Sequence, residues 1–112
     1  MKAADRQQFA SLKEIADICG GGTPSKARPE FYQGSIPWVS PKDFKGGEIG
    51  DSEDHITEEA IRNSAAKLIP AGSVLVVVRS GVLKHRLPVA LTRVSVAVNQ
   101  DVKAFICGPS LD

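Results

Sequence analysis

The hydrophobic pattern is strongest in the second half of the chain. Val74 to Val78 are five consecutive apolar residues, and such a run, bounded by Gly72 on one side and Arg79-Ser80-Gly81 on the other, predicts a buried strand. A second apolar run over Val89–Val94 predicts another strand, followed by strands over Val96–Val98 and Val102–Cys107 before Gly108-Pro109 ends the pattern. The first half is more broken. Ser11-Leu12-Lys13-Glu14 fits a capping box, with Leu12, Ile15 and Ala16 on one face of a short helix reaching about Asp17 and stopping at Gly20-Gly21-Gly22. Pro29-Glu30-Phe31-Tyr32 reads as one helical turn opened by proline, and Ile36–Val39 as a short strand that Pro37 should confine to an edge or bend. Ser40–Asp43 reads as a turn and residues 45–54 as a Gly- and Asp-rich loop. Thr57 is a plausible N-cap for a helix that turns Ala60, Ile61 and Ala65 inward and ends before Pro70, and Ile69–Gly72 turns into the Val74 strand.

Short helices first and clustered strands afterwards predict an α+β fold, a small mixed sheet with a few short helices. With 112 residues, 42% of them hydrophobic and 5% aromatic, one aliphatic core is the expectation, and Trp38 reads as its anchor. Residues 1–8 read as a disordered polar tail and 9–112 as the domain. The longest apolar runs fall far short of the roughly 20 residues a membrane span needs, and the N-terminus lacks a secretory apolar segment, so a cytoplasmic location without membrane contact is expected.

Charge adds a feature that the net value of +1 hides. Asp43 to Glu59 holds seven acids and one base, whereas Ala60 to Gln100 holds six bases and no acid. Within that acid-free span, Arg79, Ser80, Lys84, His85 and Arg86 form a basic loop between two strands, a suitable mount for anion binding. The sequence pI near 7.8 is unlike that of a free-standing DNA-binding domain, so a solvated strand rim remains the alternative.

Catalytic chemistry finds little support. His55 and His85 have neither H-E-x-x-H nor G-x-S-x-G context, and Gly20-Gly21-Gly22 matches no phosphate-loop spacing. Cys19 and Cys107 stand alone, too few for a zinc site, and read as small buried residues. A nuclease would have only Asp101 with Lys103 in the strand-rich half. The chain reads as non-catalytic and without a cofactor of its own.

Several blocks in order carry a resemblance: L-K-E-I-A-D-I, G-G-T-P-S, the Pro29–Tyr32 turn, I-P-W-V-S-P-K-D, the run from His55 through Lys84-His85, L-P-V-A and V-N-Q-D-V-K-A. From about Leu12 to Phe105 the chain resembles the target recognition domain of the DNA specificity (S) subunit of type I restriction–modification systems. The resemblance implies a subunit with two such domains joined by long helices, each reading one half of a split double-stranded DNA target. It implies assembly with methyltransferase and restriction subunits, to which S-adenosylmethionine, ATP and Mg belong, the specificity subunit itself catalysing nothing. Arg79, Ser80, Lys84, His85 and Arg86 would then face the duplex, with Lys42 and Lys26 as second-rank phosphate contacts; Lys42 pairing with Asp43 is the alternative for that side chain. Asn99 and Gln100 would read adenine or, as the preferred alternative, satisfy strand-end backbone groups. The chain ends near Asp112 without the remainder of such a domain or its helical spacer. A partial recognition domain is therefore expected, with weak DNA binding and self-association through sheet edges. The competing reading is a protein-interaction module whose acidic Asp43–Glu59 block docks a basic partner.

Overall fold

A computed structural model describes residues 17–79 and 88–106. Among these residues, eight strands form two sheets. β1 (Asp17–Cys19), β3 (Glu48–Ile49), β5 (Val74–Val77), β6 (Val89–Thr92) and β8 (Val102–Ile106) make a five-stranded sheet in the order β1-β8-β5-β6-β3. β2 (Ile36–Val39), β4 (Asp54–Ile56) and β7 (Ala97–Val98) make a second sheet in the order β4-β2-β7. Each sheet is mixed: β3 runs parallel to β6 and β7 parallel to β2, the other pairings being antiparallel. Pro29–Tyr32 and Pro41–Asp43 are 3₁₀ turns, and α1 is the short helix Glu58–Arg62. No helix among the described residues is long and apolar enough to cross a membrane.

Alternation along β2 and β7 sets the layering. Val39 and Val98, with Val96, pack onto Leu75, Val77, Ala90, Val102 and Ala104 of the large sheet. Their neighbours Trp38 and Ala97 point the other way, into a second cluster with Phe31, Ile56, Ala60 and Ala66. The small sheet therefore lies between the large sheet and the α1/3₁₀ layer, and each strand residue serves one layer or the other.

Several sequence expectations change. The single mixed sheet becomes two, because the strands over Val89–Thr92 and Ala97–Val98 separate after Thr92 and join different sheets. The helix expected to reach Asp17 lies outside the described residues up to Ala16, and Asp17 already belongs to β1, held by register with Ile106. Pro37 lies in the central strand rather than at an edge. The parallel ladder with β7 begins only at Trp38, so the proline stands just before the doubly paired stretch. The 45–54 loop contains β3 and the start of β4, two- and three-residue strands too short to leave a periodic signal. Ala65 is exposed and Ala66 buried instead, because α1 stops at Arg62 and a Ser64 turn, its Oγ accepting from Ala66 N at 3.1 Å, shifts the register by one. The Val74–Val78 run is buried on one side only: Leu75 and Val77 are buried, Val74 and Val76 are half-buried, and Val78 is exposed.

Other expectations hold. Thr57 caps α1, its Oγ1 accepting from Ala60 N at 3.0 Å, with Glu58 and Glu59 in the first turn. Gly72 turns into β5 with φ of 86°, a conformation that costs glycine little.

Candidate nucleic-acid interface

β2 and β7 run parallel and end side by side, Val39 opposite Val98, and both leave the sheet at the same end. Asn99 N donates to Val39 O at 2.9 Å, tying the β7–β8 turn to the start of the Ser40–Asp43 turn. β8 then begins at Val102, paired with Val77 at the end of β5, and Val78 N donates to Asp101 O at 2.9 Å. Arg79 follows immediately. The Gly-rich loop reaches the same end, since Gly22 N donates to Val98 O at 3.1 Å. One rim thus collects the 20–28 loop, the Ser40–Asp43 turn, the Asn99–Asp101 turn and the end of β5. Arg79, Lys42 and Lys26 root on it. Ser80, Lys84, His85 and Arg86 lie outside the described residues.

The glycines explain how tightly the first loop sits. A Cβ on Gly21 would stand 2.1 Å from Val98 O and 2.4 Å from Asn99 O, and one on Gly22 2.7 Å from the Ala65 methyl. Gly22 O accepts from the Trp38 Nε1–H at 3.0 Å, so the buried tryptophan both fills the core and fastens the loop. Tyr32 OH donates to Pro24 O at 2.5 Å and its ring meets Trp38 edge-on, centroids 5.7 Å apart. Burial of the Tyr32 phenol, with Asp54 nearby, raises its pKa. Lys26 Nζ stands over both rings, 5.3 Å from Tyr32 and 5.6 Å from Trp38, so the aromatic faces hold its charge at the surface.

The other two candidate contacts among the described residues, Arg79 and Lys42, carry carboxylate partners. Arg79 Nε lies 2.7 Å from Asp101 Oδ1, with the arginine side chain 68% exposed. Lys42 Nζ lies 2.8 Å from Asp54 and 2.9 Å from Glu53, and hydrogen bonds to those two hold its pKa well above the usual lysine range. Asp43 is not its partner. The Asp43 carboxylate instead accepts from Ser40 N at 2.9 Å and from Glu53 N at 3.0 Å, fixing the turn. Asp101, weighed with Lys103 as a nuclease pair, has its carboxylate engaged by Arg79.

Asn99 does what a strand-end side chain can do: its Oδ1 accepts from Asp101 N at 3.0 Å. Gln100 differs. It is exposed, and its Oε1 accepts from the Thr23 hydroxyl at 2.6 Å across 77 residues of chain. Thr23 escaped sequence reasoning because nothing in its spacing ties it to residue 100. Its place after three glycines was the only available cue.

The arrangement sets three cations, an amide and a hydroxyl on one rim, groups whose chemistry suits pairing with an anion and hydrogen bonding to it. The family model for the type I restriction modification DNA specificity domain matches residues 5–110. The chain belongs to this family. Over 100 residues it is 52% identical to the type I restriction enzyme EcoR124I/EcoR124II specificity subunit of Escherichia coli, covering 88% of this chain and 25% of that subunit. Over 72 residues it is 36% identical to the type I restriction enzyme MjaIX specificity subunit of Methanocaldococcus jannaschii, covering 62% of this chain and 17% of that subunit. This specificity domain thus spans a quarter or less of the length of either relative.

Proposed function

We propose that this specificity domain reads duplex DNA in a sequence-specific manner through the rim at the ends of β2, β5 and β7. On this reading it recognises one half of a split target. It serves a specificity subunit that directs methyltransferase and restriction subunits, without a reaction or cofactor of its own. The observation that carries the reading is the gathering of Lys26, Lys42, Arg79 and the Thr23–Gln100 pair at one end of the two sheets, in a chain of the specificity family. Arginine suits guanine edges and phosphate alike, lysine chiefly phosphate. The Arg79 side chain is mostly exposed, so water screens its pairing with the part-buried Asp101, and exchanging that carboxylate for a phosphate costs the cation only about 0–1 kcal/mol.

The test is duplex binding by the full chain as a function of salt. Each phosphate-neutralising cation contributes about one unit to the slope of log K against log salt. Arg79→Ala is expected to weaken binding and, if Arg79 meets a phosphate, to flatten that slope by about one. Unchanged affinity and slope in Arg79→Ala at low salt would sink the proposal for this rim.

A further inference from the structure

We infer that Gln100 is an adenine-reading residue of this domain and that Thr23 positions it. The inference deepens the DNA-recognition reading above and rests on it. The Asn99–Asp101 turn is fixed from three sides: Asn99 N to Val39 O at 2.9 Å, Asp101 N to Asn99 Oδ1 at 3.0 Å and Val102 N to Asn99 O at 3.3 Å. Gln100 stands on this turn with an exposed side chain. A free glutamine side chain has several rotamers, and fixing it on DNA costs entropy. Here the Thr23 hydroxyl already holds the amide, 2.6 Å from Oε1.

Thr23 is itself held. Gly22 before it is buried and bonded to Val98 O and to the Trp38 indole, and Pro24 after it is fully buried and bonded to the Tyr32 hydroxyl. The two side chains therefore meet as one preorganised unit on two anchored loops. An amide oxygen has two acceptor positions, and Thr23 occupies one. The remaining acceptor and the Nε2–H₂ donors match adenine N6–H₂ and N7 in the major groove, the bidentate pairing that glutamine makes with adenine. Lys26, three residues from Thr23 on the same loop and held over Tyr32 and Trp38, supplies a phosphate anchor beside the base contact.

The experiment selects duplexes from a randomised pool with the full chain at low salt and sequences those retained, for the parent, Gln100→Ala, Gln100→Glu, Thr23→Val and Thr23→Ser. The parent is expected to enrich adenine at one position. Gln100→Ala should lose that enrichment, by about tenfold or more, with other positions unchanged. Gln100→Glu should move the preference at that position toward cytosine, because a carboxylate accepts from cytosine N4 but cannot donate to adenine N7. Thr23→Val should weaken the enrichment and Thr23→Ser restore it. A parent that binds duplex DNA while Gln100→Ala and Gln100→Glu keep every base preference overturns the inference and leaves the DNA-binding reading standing. A parent that retains no duplex overturns both.

Discussion

Asp101→Asn should strengthen DNA binding. The Asp101 carboxylate sits 2.7 Å from Arg79 Nε and is about three-quarters buried, whereas the arginine side chain is mostly exposed. Two effects follow from removing its charge. A phosphate about 8 Å from that carboxylate would feel a repulsion of roughly 0.5 kcal/mol at water's dielectric constant, less once salt screens it. Arg79 is also held less tightly, because a neutral amide oxygen replaces the carboxylate of a solvent-screened ion pair, which offsets about another 0.5 kcal/mol of the cost of turning to DNA. Together they amount to about 1 kcal/mol, or about a fivefold gain in affinity. The backbone N–H of residue 101 still reaches Asn99 Oδ1, and an asparagine oxygen still accepts from Arg79, so the turn is retained. Fluorescence anisotropy with a labelled duplex at two salt concentrations reads the gain, which should shrink as salt rises. A thermal melt checks that the fold is intact. Unchanged or weaker binding by a normally folded Asp101→Asn would refute the idea that Arg79 meets DNA in competition with this carboxylate.

Trp38→Phe keeps the aromatic volume but leaves Gly22 O without its indole donor, and should cost about 1–3 kcal/mol by chemical denaturation, a loss below about 0.5 kcal/mol refuting the fastening role. Thr57→Ala removes the hydroxyl that accepts from Ala60 N and should cost about 1 kcal/mol, seen as a drop of several degrees in the melting midpoint, with DNA affinity unchanged. Lys42→Ala should alter DNA affinity less than Arg79→Ala, since two carboxylates already hold the ammonium; a larger loss in the same titration would show that Lys42 exchanges them for phosphate.

Legibility followed element length and locality. The Thr57 cap, the Pro29 turn, the Gly72 turn and the long β5 run were visible because each is a local pattern. β3 and β4 were not, because pairing of two or three residues is decided by partners far along the chain, Leu91 and Thr92 for β3, Ile36 to Trp38 for β4. Ala66 was missed by one position because a serine hydroxyl ended the helical register early. At the candidate site, the cations could be named from composition, and the family resemblance from ordered motifs. The Thr23–Gln100 contact could not, since it exists only once the glycine loop lies against the β7–β8 turn.

The charge pattern shows why sequence blocks and surface potential differ. An acid-rich block followed by an acid-free basic span suggests two oppositely charged regions. The strand order folds one onto the other: β3, from the acidic block, runs beside β6, and Glu48 reaches Arg93 at 3.2 Å. Arg62 lies 3.9 Å from Glu58, and Arg79 meets Asp101 from beyond the basic span. Of the four described bases in that span, only Lys67 has no carboxylate within ion-pair distance among the described residues. The sheet frame is therefore largely neutralised by its own topology. What distinguishes the rim is geometry: cations and hydrogen-bonding side chains on loops fixed by buried anchors. If the domain reads DNA, its selectivity should follow the rigidity of those loops, and its salt dependence should count only the cations that can leave a carboxylate for a phosphate.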